Sequence, residues 1–172
     1  MATLPILTFP AKSLKQPSAP VHKVTNEIRQ LVKNMFETMA AGCGIGLAAP
    51  QVGQNIAVFV MDVGKKNPKD EKNIILTPFC LINPRILEKS GDTTYAEGCL
   101  SCPDLTVEVD RAQRVVVEAL DVDGKLQQYV FEDLEAVCVQ HEMDHLAGVL
   151  LTDHISRLKR ELYKKKLKHH SP

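Results

Sequence analysis

In the last third of the chain, an apolar helical pattern contains four ionisable residues close together. From residue 132 or 133 to residue 147 the sequence has helical spacing but is apolar on most faces, which is typical of a buried helix. Within it, His141-Glu142-Met143-Asp144-His145 forms an H-E-x-x-H pattern, and residues four apart lie on one helix face a single turn apart. The two imidazoles can therefore bind one metal ion. Because such groups are costly to bury unless they are paired or ligating, the pattern predicts a metal site on a buried helix.

A site with two histidines needs a third protein ligand, and catalytic metal sites keep one further position open for water. The residues leave two sources for that ligand open. One is Asp153 or His154 downstream, and the other is a cysteine of the segment EGCLSC at residues 97–102. Both cysteines with both histidines would make a closed structural site, but the 38 residues between the pairs far exceed the ~12 to 15 of a zinc finger. The histidines could also be hydrogen-bonded core residues.

The remaining sequence predicts short strands and two further helices. Apolar spacing predicts a helix from Val24 to Gly42, with Thr25 or Asn26 as its N-cap, followed by a packed loop over residues 42–53. A last helix is expected from about residue 153 or 156 to residue 168. Strands are expected at residues 56–62, 74–76, 79–83, 105–110, 114–120 and 125–131. The Asp123-Gly124 turn between the last two strands predicts a hairpin and antiparallel pairing, so we expect an α+β fold.

Composition excludes several classes of protein. Lys and Arg total 21, as do Asp and Glu, and this balance argues against a nucleic-acid-binding or membrane-surface protein. Five cysteines at irregular spacing favour reduced thiols or metal ligation over a disulfide framework. Apolar runs are far shorter than the ~18 to 20 residues of a membrane span. With no repeat or linker and a poor secretory signal, we expect a single cytoplasmic domain over residues 1–172.

Three segments resemble the signature motifs of the peptide deformylase family, in the family's order. They are GIGLAAPQVG at residues 44–53, EGCLS at residues 97–101 and QHEMDHL at residues 140–146. Residues 81–84 and the turn at residues 121–124 also fall where the family places them, so the resemblance covers nearly the whole chain. It implies a bacterial-type deformylase in which antiparallel sheets pack around the central buried helix carrying the H-E-x-x-H motif, with N-terminal and C-terminal helices.

The resemblance also implies the ligands of the metal. Cys99, His141 and His145 would bind one divalent ion, with water in the fourth position. A thiolate and two imidazoles suit Fe(II), Zn, Co or Ni, and the family usually uses Fe(II). Such a site should be sensitive to oxygen, because both the metal and the thiolate can be oxidised.

The implied reaction is removal of the N-formyl group from the N-terminal methionine of nascent polypeptides, which releases formate. Glu142 would accept a proton from water and return a proton to the leaving amine. The Gln51 side-chain amide and the Leu100 backbone N–H would stabilise the charge that develops on the formyl oxygen. Ile45 and Gly46 would hold the extended substrate through backbone contacts.

Four further residues are assigned to the substrate site. Leu134, Val137 and Cys138 lie on the helical turns before the H-E-x-x-H motif and could wall an apolar methionine pocket, although core packing explains them equally well. Glu97 is interpreted as orienting its neighbours, since Glu142 already fills the role of catalytic carboxylate.

Two other functions stay open at this point. An H-E-x-x-H peptidase would use the same Glu142 but take its third ligand elsewhere. A metal-stapled interaction module would fill the open position with Cys102. The sequence also departs from the family at Cys102, where a small aliphatic residue is usual, and at residues 104–106, which lack an arginine often found there. The nearness of Cys102 to Cys99 raises a risk of intramolecular oxidation, and we interpret Cys102 as a packing residue.

The C-terminal segment, residues 153–172, is basic. It has seven Lys and Arg and two acidic residues, so it carries +5 while the rest of the chain carries −5. A basic helix can dock on a phosphate-rich surface through counterion release, and the resemblance implies contact with the ribosome. The alternative is a solvated terminus. We expect no sequence-specific nucleic-acid binding and no membrane partner.

Overall fold

A computed structural model describes residues 3–170, apart from the side chains of Glu71 and His170, and over that range the chain has an α+β fold. The three α-helices of this range are α1 (Asn26–Ala41), α2 (Asp133–Leu146) and α3 (Arg157–His170). The strands in chain order are β1 (Gly46–Ala48), β2 (Val58–Met61), β3 (Lys65–Asn67), β4 (Asp70–Ile75), β5 (Phe79–Ser90), β6 (Thr93–Cys99), β7 (Cys102–Arg111), β8 (Arg114–Leu120) and β9 (Leu126–Glu132). Short 3₁₀ helices lie at Lys12–Lys15, Ala49–Val52 and Leu151–His154.

The strands pair antiparallel throughout the described range. Five form one sheet in the order β1-β2-β5-β8-β9, while β3 pairs with β4 and β6 pairs with β7 in two separate hairpins. The predicted hairpin is confirmed, because β8 and β9 pair from Arg114 opposite Glu132 to Leu120 opposite Leu126. Gly124 has a φ of +77°, so it supplies the left-handed conformation that the turn requires. The expected α+β class with antiparallel sheets is therefore confirmed.

Helix α1 follows the sequence prediction closely. Its N-cap is Thr25, whose hydroxyl accepts a hydrogen bond from the Ile28 amide at 3.5 Å, and its C-cap is Gly42. Met35 and Met39 on its buried face pack into a core cluster with residues of β1 and β2. Each fully buried side chain of this size contributes roughly 1.5–3 kcal/mol to folding, and this places α1 against the β1 end of the sheet.

Several predicted boundaries were wrong. Of the two predicted starts of helix α3, residue 156 agrees within one residue with the observed start at Arg157, whereas residue 153 is wrong, because Leu151–His154 forms a 3₁₀ turn in which the Asp153 carboxylate accepts a hydrogen bond from the Leu150 amide at 2.8 Å. Strand β5 continues to Ser90 rather than ending at residue 83, since the pairing with β8 shifts register around Pro84. The packed loop predicted over residues 42–53 contains β1 and a 3₁₀ helix. Strands β3 and β6 were not predicted.

Helix α2 is held in place by both packing and hydrogen bonds. It buries apolar residues such as Val139 in the core cluster that also contains Phe131 of β9. The Gln140 side chain donates to the Ala112 carbonyl at 2.8 Å and accepts from the Ala112 amide at 3.0 Å. Because this amide satisfies both backbone groups of one residue, it fixes the rotation of α2 relative to the strands.

Helix α3 is attached to the body by a buried aromatic residue, among other contacts. Tyr163 stacks on Phe9 with ring centroids 5.7 Å apart, and its hydroxyl donates to the Pro103 carbonyl at 2.7 Å. The helix therefore packs beside the β6–β7 turn. None of the helices in the described residues is long and apolar enough to cross a membrane.

Candidate active site

Three side chains with metal-binding atoms meet where the end of β6 faces helix α2. The thiol of Cys99 and one ring nitrogen each of His141 and His145 lie within 4.8 Å of one another. Cys99 Sγ is 3.2 Å from His145 Nε2, and the two imidazole centroids are 5.0 Å apart. Within the described part of the chain, this group includes none of the alternative ligands Asp153, His154 and Cys102. A cysteine of the EGCLSC segment is therefore the third member, as the resemblance implied.

The alternative ligands have other partners. Asp153 forms an ion pair with Lys15 and accepts a hydrogen bond from the Leu150 amide. His154 Nε2 lies 3.1 Å from an oxygen of Asp144. The geometry thus gives no support to a site in which the third ligand comes from downstream of the helix.

A buried ion-pair network orients His141. Its Nδ1 is 2.8 Å from the Glu97 carboxylate, which leaves Nε2 as the nitrogen available to a metal. Arg111 donates two hydrogen bonds to Glu97 at 2.7 and 2.9 Å and a third to Asp144 at 2.8 Å. The side chains of Arg111 and Glu97 are only 7% and 4% exposed, so these charges are compensated almost entirely by one another. Sequence reasoning identified Glu97 as an orienting residue but missed Arg111.

The network sets the charge of its members. Burial alone would raise the pKa of Glu97, but hydrogen bonds from Arg111 and His141 outweigh it and lower that pKa to about 2. Burial similarly opposes a charge on His141, yet the contact with Glu97 raises the pKa of this histidine. Burial and the nearby charge of His141 lower the pKa of His145 well below its ordinary value. His145 is therefore neutral, as a metal ligand must be.

The Glu142 carboxylate lies in the same site but has a different environment. Its residue is 3% exposed, and its Oε2 has no hydrogen-bond partner among the described residues. Burial raises the pKa of Glu142 to about 7, which is suitable for a group that exchanges protons near neutral pH. A Cβ atom at Gly46 would lie 2.3 Å from Glu142 Oε1. Strand β1 can therefore lie this close to the Glu142 carboxylate only because residue 46 has no side chain.

The Gln51 side chain joins the segment at residues 44–53 to the segment at residues 97–101. Its oxygen accepts from the Ala48 amide at 2.8 Å, and its nitrogen donates to the Ser101 hydroxyl at 3.0 Å and towards Cys99 Sγ at 3.6 Å. With 1% of the residue exposed, this amide is held rigidly beside the thiol. It is therefore placed next to the group of candidate ligands.

A cleft of about 340 Å³ opens onto these residues. Of the residues predicted for the site, the cleft is lined by Ile45, Gly46, Gln51, Glu97, Cys99, Leu100, Leu134, Val137, Cys138, His141 and Glu142. His145 does not line the cleft, since it lies behind the others and is 1% exposed. Cys43, Gly44, Tyr95 and Gly98 line it as well and were not singled out from the sequence.

The donor set suits a divalent metal ion. Neutral His145, the remaining nitrogen of His141 and the Cys99 thiol are three soft or borderline ligands on one side of a cleft, and such sets bind Fe(II), Zn, Co or Ni. Contact with Cys102 and burial raise the pKa of Cys99 well above its ordinary value, but a coordinating cation deprotonates such a thiol.

The family model described as polypeptide deformylase matches residues 3–161. The chain belongs to the peptide deformylase family. A peptide deformylase from Phenylobacterium zucineum is 49% identical over 172 residues, which cover 99% of this chain and 98% of that relative. The chain is therefore an enzyme of this family, and the family activity is removal of the formyl group from nascent peptides.

Solved structures of deformylases have the same fold. The crystal structure of a peptide deformylase from Ehrlichia chaffeensis aligns with a TM-score of 0.90 at 38% identity, covering 98% of this chain and 96% of that one. A class I type b peptide deformylase from Acinetobacter baumannii, solved with Met-Ala-Ser bound, aligns with a TM-score of 0.81 at 35% identity, covering 90% of this chain and 99% of that one. The family resemblance inferred from the three motifs is thus confirmed.

Proposed function

We propose that this chain is a metal-dependent hydrolase that removes the N-formyl group from the N-terminal methionine of newly synthesised polypeptides and releases formate. One observation carries the proposal: the candidate ligand atoms of Cys99, His141 and His145 lie within 4.8 Å of one another, beside a cleft that also presents Glu142. Three protein ligands and an accessible carboxylate are what a hydrolytic metal site requires.

Cys99, His141 and His145 would hold one divalent ion per chain, and we propose Fe(II), with Zn, Ni or Co as functional substitutes. When bound, the ion supplies Lewis acidity and lowers the pKa of water in the site. The orientation of His141 by Glu97 and Arg111 supports this assignment, because most ligating imidazoles have their second nitrogen fixed by an acceptor. The second nitrogen of His145, Nδ1, is buried without such a partner among the described residues.

Glu142 acts as the proton acceptor and then as the proton donor. Its burial, which raises the pKa of the carboxyl in the metal-free site to about 7, supports a role in taking a proton from the attacking water and passing a proton to the amine that leaves. Its unpartnered Oε2 is free for that exchange. The products are formate and a peptide with a free N-terminal methionine.

Gln51 and Leu100 stabilise the formyl oxygen as negative charge develops on it. The Gln51 amide nitrogen is fixed by Ala48 and Ser101, and Leu100 follows Cys99 directly and lines the cleft. Donors that are already in position when the charge appears cost no reorganisation.

The substrate binds in the cleft along strand β1. That strand lies at the edge of the five-stranded sheet, so Ile45 and Gly46 offer backbone groups to an extended peptide. Leu134, Val137 and Cys138 wall an apolar pocket for the methionine side chain. The Met-Ala-Ser complex of the Acinetobacter baumannii relative supports a methionyl peptide as ligand.

Residues 1–172 form one catalytic domain, with α2 as the central helix around which the sheets pack, and the enzyme works in the cytoplasm, where nascent chains emerge. The family match over residues 3–161 supports the single domain. The exposed basic residues of α3, among them Lys159, Lys165 and Lys168, would contact the phosphate-rich surface of the ribosome.

The reaction is tested by formate release. Wild-type protein and Glu142→Ala, each loaded anaerobically with Fe(II), Ni(II) or Zn(II), are mixed with formyl-Met-Ala-Ser. We expect release by the wild type and a loss of at least about 100-fold in Glu142→Ala with the metal retained. No release with any metal would contradict the proposal, and cleavage of unformylated internal peptide bonds would favour a peptidase.

A further inference from the structure

Cys102 lies directly opposite the candidate ligand Cys99. The two residues are paired at the end of the β6–β7 hairpin, across the turn formed by Leu100 and Ser101. Opposed residues of an antiparallel pair have Cα atoms about 4.5–5.5 Å apart, which falls within the range of about 4.4–6.8 Å found for disulfides. Cys99 also packs against the buried cluster that contains Cys102. A disulfide can therefore form here without moving the backbone far.

The two cysteines differ in their access to small molecules. Cys99 lines the cleft, whereas Cys102 is 1% exposed and packs among Phe9, Leu14 and Tyr163. A small oxidant entering the cleft can reach Cys99 directly, whereas Cys102 does not line the cleft. Once Cys99 is oxidised, the buried Cys102 is its cross-strand neighbour and can react with it.

The other cysteines have different surroundings. Cys80 lies opposite Val60 in the sheet, and the thiol of Cys138 contacts the Ile45 carbonyl at 3.6 Å. Among the paired strands of the described chain, the β6–β7 hairpin places one cysteine directly opposite another.

We propose that Cys99 and Cys102 form a reversible oxidative modification site, in which a peroxide oxidises Cys99 and Cys102 resolves the product into a disulfide. The effect on the metal rests on the proposed function, because it requires that Cys99 is a ligand. The disulfide itself does not depend on that role.

Two steps convert the pair of thiols into the disulfide. The Cys99 sulfur attacks hydrogen peroxide, an S–O bond forms, the O–O bond breaks, and the oxygen that leaves takes up the thiol proton as water. The Cys102 sulfur then attacks the sulfenic sulfur, an S–S bond forms, the S–O bond breaks, and a second water leaves. The two thiols lose two electrons, and the peroxide gains them.

The modification would abolish metal binding reversibly. A disulfide sulfur has no thiolate charge, so His141 and His145 alone would remain as ligands and the metal would leave. A thiol reductant restores Cys99 and hence the site. Without a resolving partner, the sulfenic acid proceeds to sulfinic acid, which thiols do not reverse. Cys102 would therefore protect the ligand from irreversible oxidation.

The test exposes zinc-loaded and metal-free protein to a small molar excess of hydrogen peroxide. Zinc is chosen because it has no redox chemistry of its own. The readouts are peptide mapping by mass spectrometry, release of zinc to a chromogenic chelator, and rebinding of zinc after dithiothreitol. We expect a peptide pair linked through Cys99 and Cys102, release of zinc, and its recovery after reduction.

Variants distinguish oxidation at the Cys99–Cys102 pair from general oxidation of the protein. Cys102→Ala and Cys102→Val, the second of which refills the buried space, should accumulate sulfinic acid at Cys99 and recover about tenfold less zinc binding after reduction. Cys80→Ala, which removes a thiol that does not line the cleft, should respond as the wild type does. Circular dichroism before oxidation establishes that each variant is folded.

Two results would overturn the disulfide: a free Cys102 thiol beside oxidised Cys99 in the wild type, or Cys102 variants that recover fully. A disulfide that forms while zinc is retained would overturn the predicted loss of the metal, and with it the role of Cys99 as a ligand. The outcome is independent of formate release. A protein that forms the disulfide but fails to deformylate would contradict the proposed function alone. One that deformylates without forming the disulfide would contradict this inference alone.

Discussion

The Glu97 carboxylate and the His141 ring meet at 2.8 Å, and this contact determines which nitrogen of the ring is left for a metal. Glu97 lies on β6 and His141 lies on α2, so the contact joins the two elements that carry the candidate ligands. Arg111 holds the carboxylate from the other side with two hydrogen bonds. The orientation of the ligand therefore depends on a residue that touches neither the cleft nor the metal-binding atoms.

Replacing Arg111 should damage the metal site from a distance. Arg111→Ala leaves Glu97 buried without its main partner, so we expect the free energy of unfolding to fall by about 3 kcal/mol. Metal affinity should fall about 10- to 100-fold, because His141 loses its fixed orientation. Urea denaturation and competition with a chelator measure the two effects. Arg114→Ala, which removes an arginine paired with exposed Glu88 on the sheet, is the control, and equal metal affinities of the two variants would contradict the prediction.

The raised pKa of Glu142 predicts how the metal-free protein responds to pH. Burial raises this pKa from 4.5 to about 7, so the folded state binds a proton that the unfolded state has lost between these values. The stabilising effect of the protonated group is complete below pH 4.5 and is lost as pH rises through about 7. The free energy of unfolding should therefore fall with rising pH, by up to about 3 kcal/mol from this group.

Glu142→Gln provides the comparison, because glutamine is similar in size and does not titrate. Denaturation of metal-free wild type and variant is measured from pH 4.5 to pH 8, and the difference between the two curves reports Glu142 together with its electrostatic interaction with His141 and Glu97. We expect the variant to gain stability relative to the wild type as pH rises. A constant difference across this range would show that the carboxylate is not desolvated as the structure indicates.

Part of the site could be predicted because two of its candidate ligands are close together in the sequence. The positions of His141 and His145 follow from helix geometry, since four residues make about one turn. Cys99 could not be chosen over Asp153 or His154 from spacing, because the choice depends on which strand packs against the helix. The family resemblance pointed to it, and the contact between β6 and α2 places it in the group.

The parts that could not be predicted depend on pairing between distant segments. Strand β6 has the sequence TTYAEGC, which lacks an apolar alternation because the strand belongs to a two-stranded hairpin. Arg111 follows in sequence as an ordinary charged residue at the end of β7. Its role appears only when the β6–β7 register and the position of α2 bring it to both Glu97 and Asp144.

The absence of a side chain at residue 46 should be essential for catalysis. In Gly46→Ala the new Cβ atom would lie 2.3 Å from Glu142 Oε1 and 2.8 Å from Cys138 Sγ, so the carboxylate must move. Displacement of a catalytic group by about 1 Å can cost about 100-fold in rate, and we expect a loss of this size in formate release with the metal retained. Metal analysis and steady-state kinetics measure the two quantities.

Gly98→Ala is the control for the fold, since a Cβ at that position meets nothing within 4 Å. Its free energy of unfolding should differ from the wild type by less than about 1 kcal/mol. Unchanged turnover in Gly46→Ala would show that Glu142 does not need the position that it occupies in this structure.

The proposed ribosome contact should depend on the charge of α3 rather than on its presence. Truncation before α3 is a poor test, because it also removes Tyr163, which packs on Phe9 and bonds to Pro103 beside the β6–β7 turn. Reversal of Lys159, Lys165 and Lys168 to Glu leaves that anchor in place, since all three residues are exposed. Reversal of Lys66, Lys69 and Lys72, which are exposed on or beside the β3–β4 hairpin, makes the same change in net charge elsewhere.

Binding is measured by cosedimentation with ribosomes over a series of salt concentrations. Each phosphate contact contributes about −0.7 to −0.9 to the slope of log affinity against log salt. If the three lysines of α3 each meet a phosphate, their reversal should make the slope shallower by about 2 to 3 and weaken binding most strongly at low salt. The variant of the β3–β4 hairpin should keep the steeper slope. Because the whole chain has a net charge of zero, attraction to the ribosome must come from where the basic residues lie and not from the total charge. Equal loss of binding in both variants would assign the effect to overall charge, and unchanged binding in both would remove α3 as the docking surface.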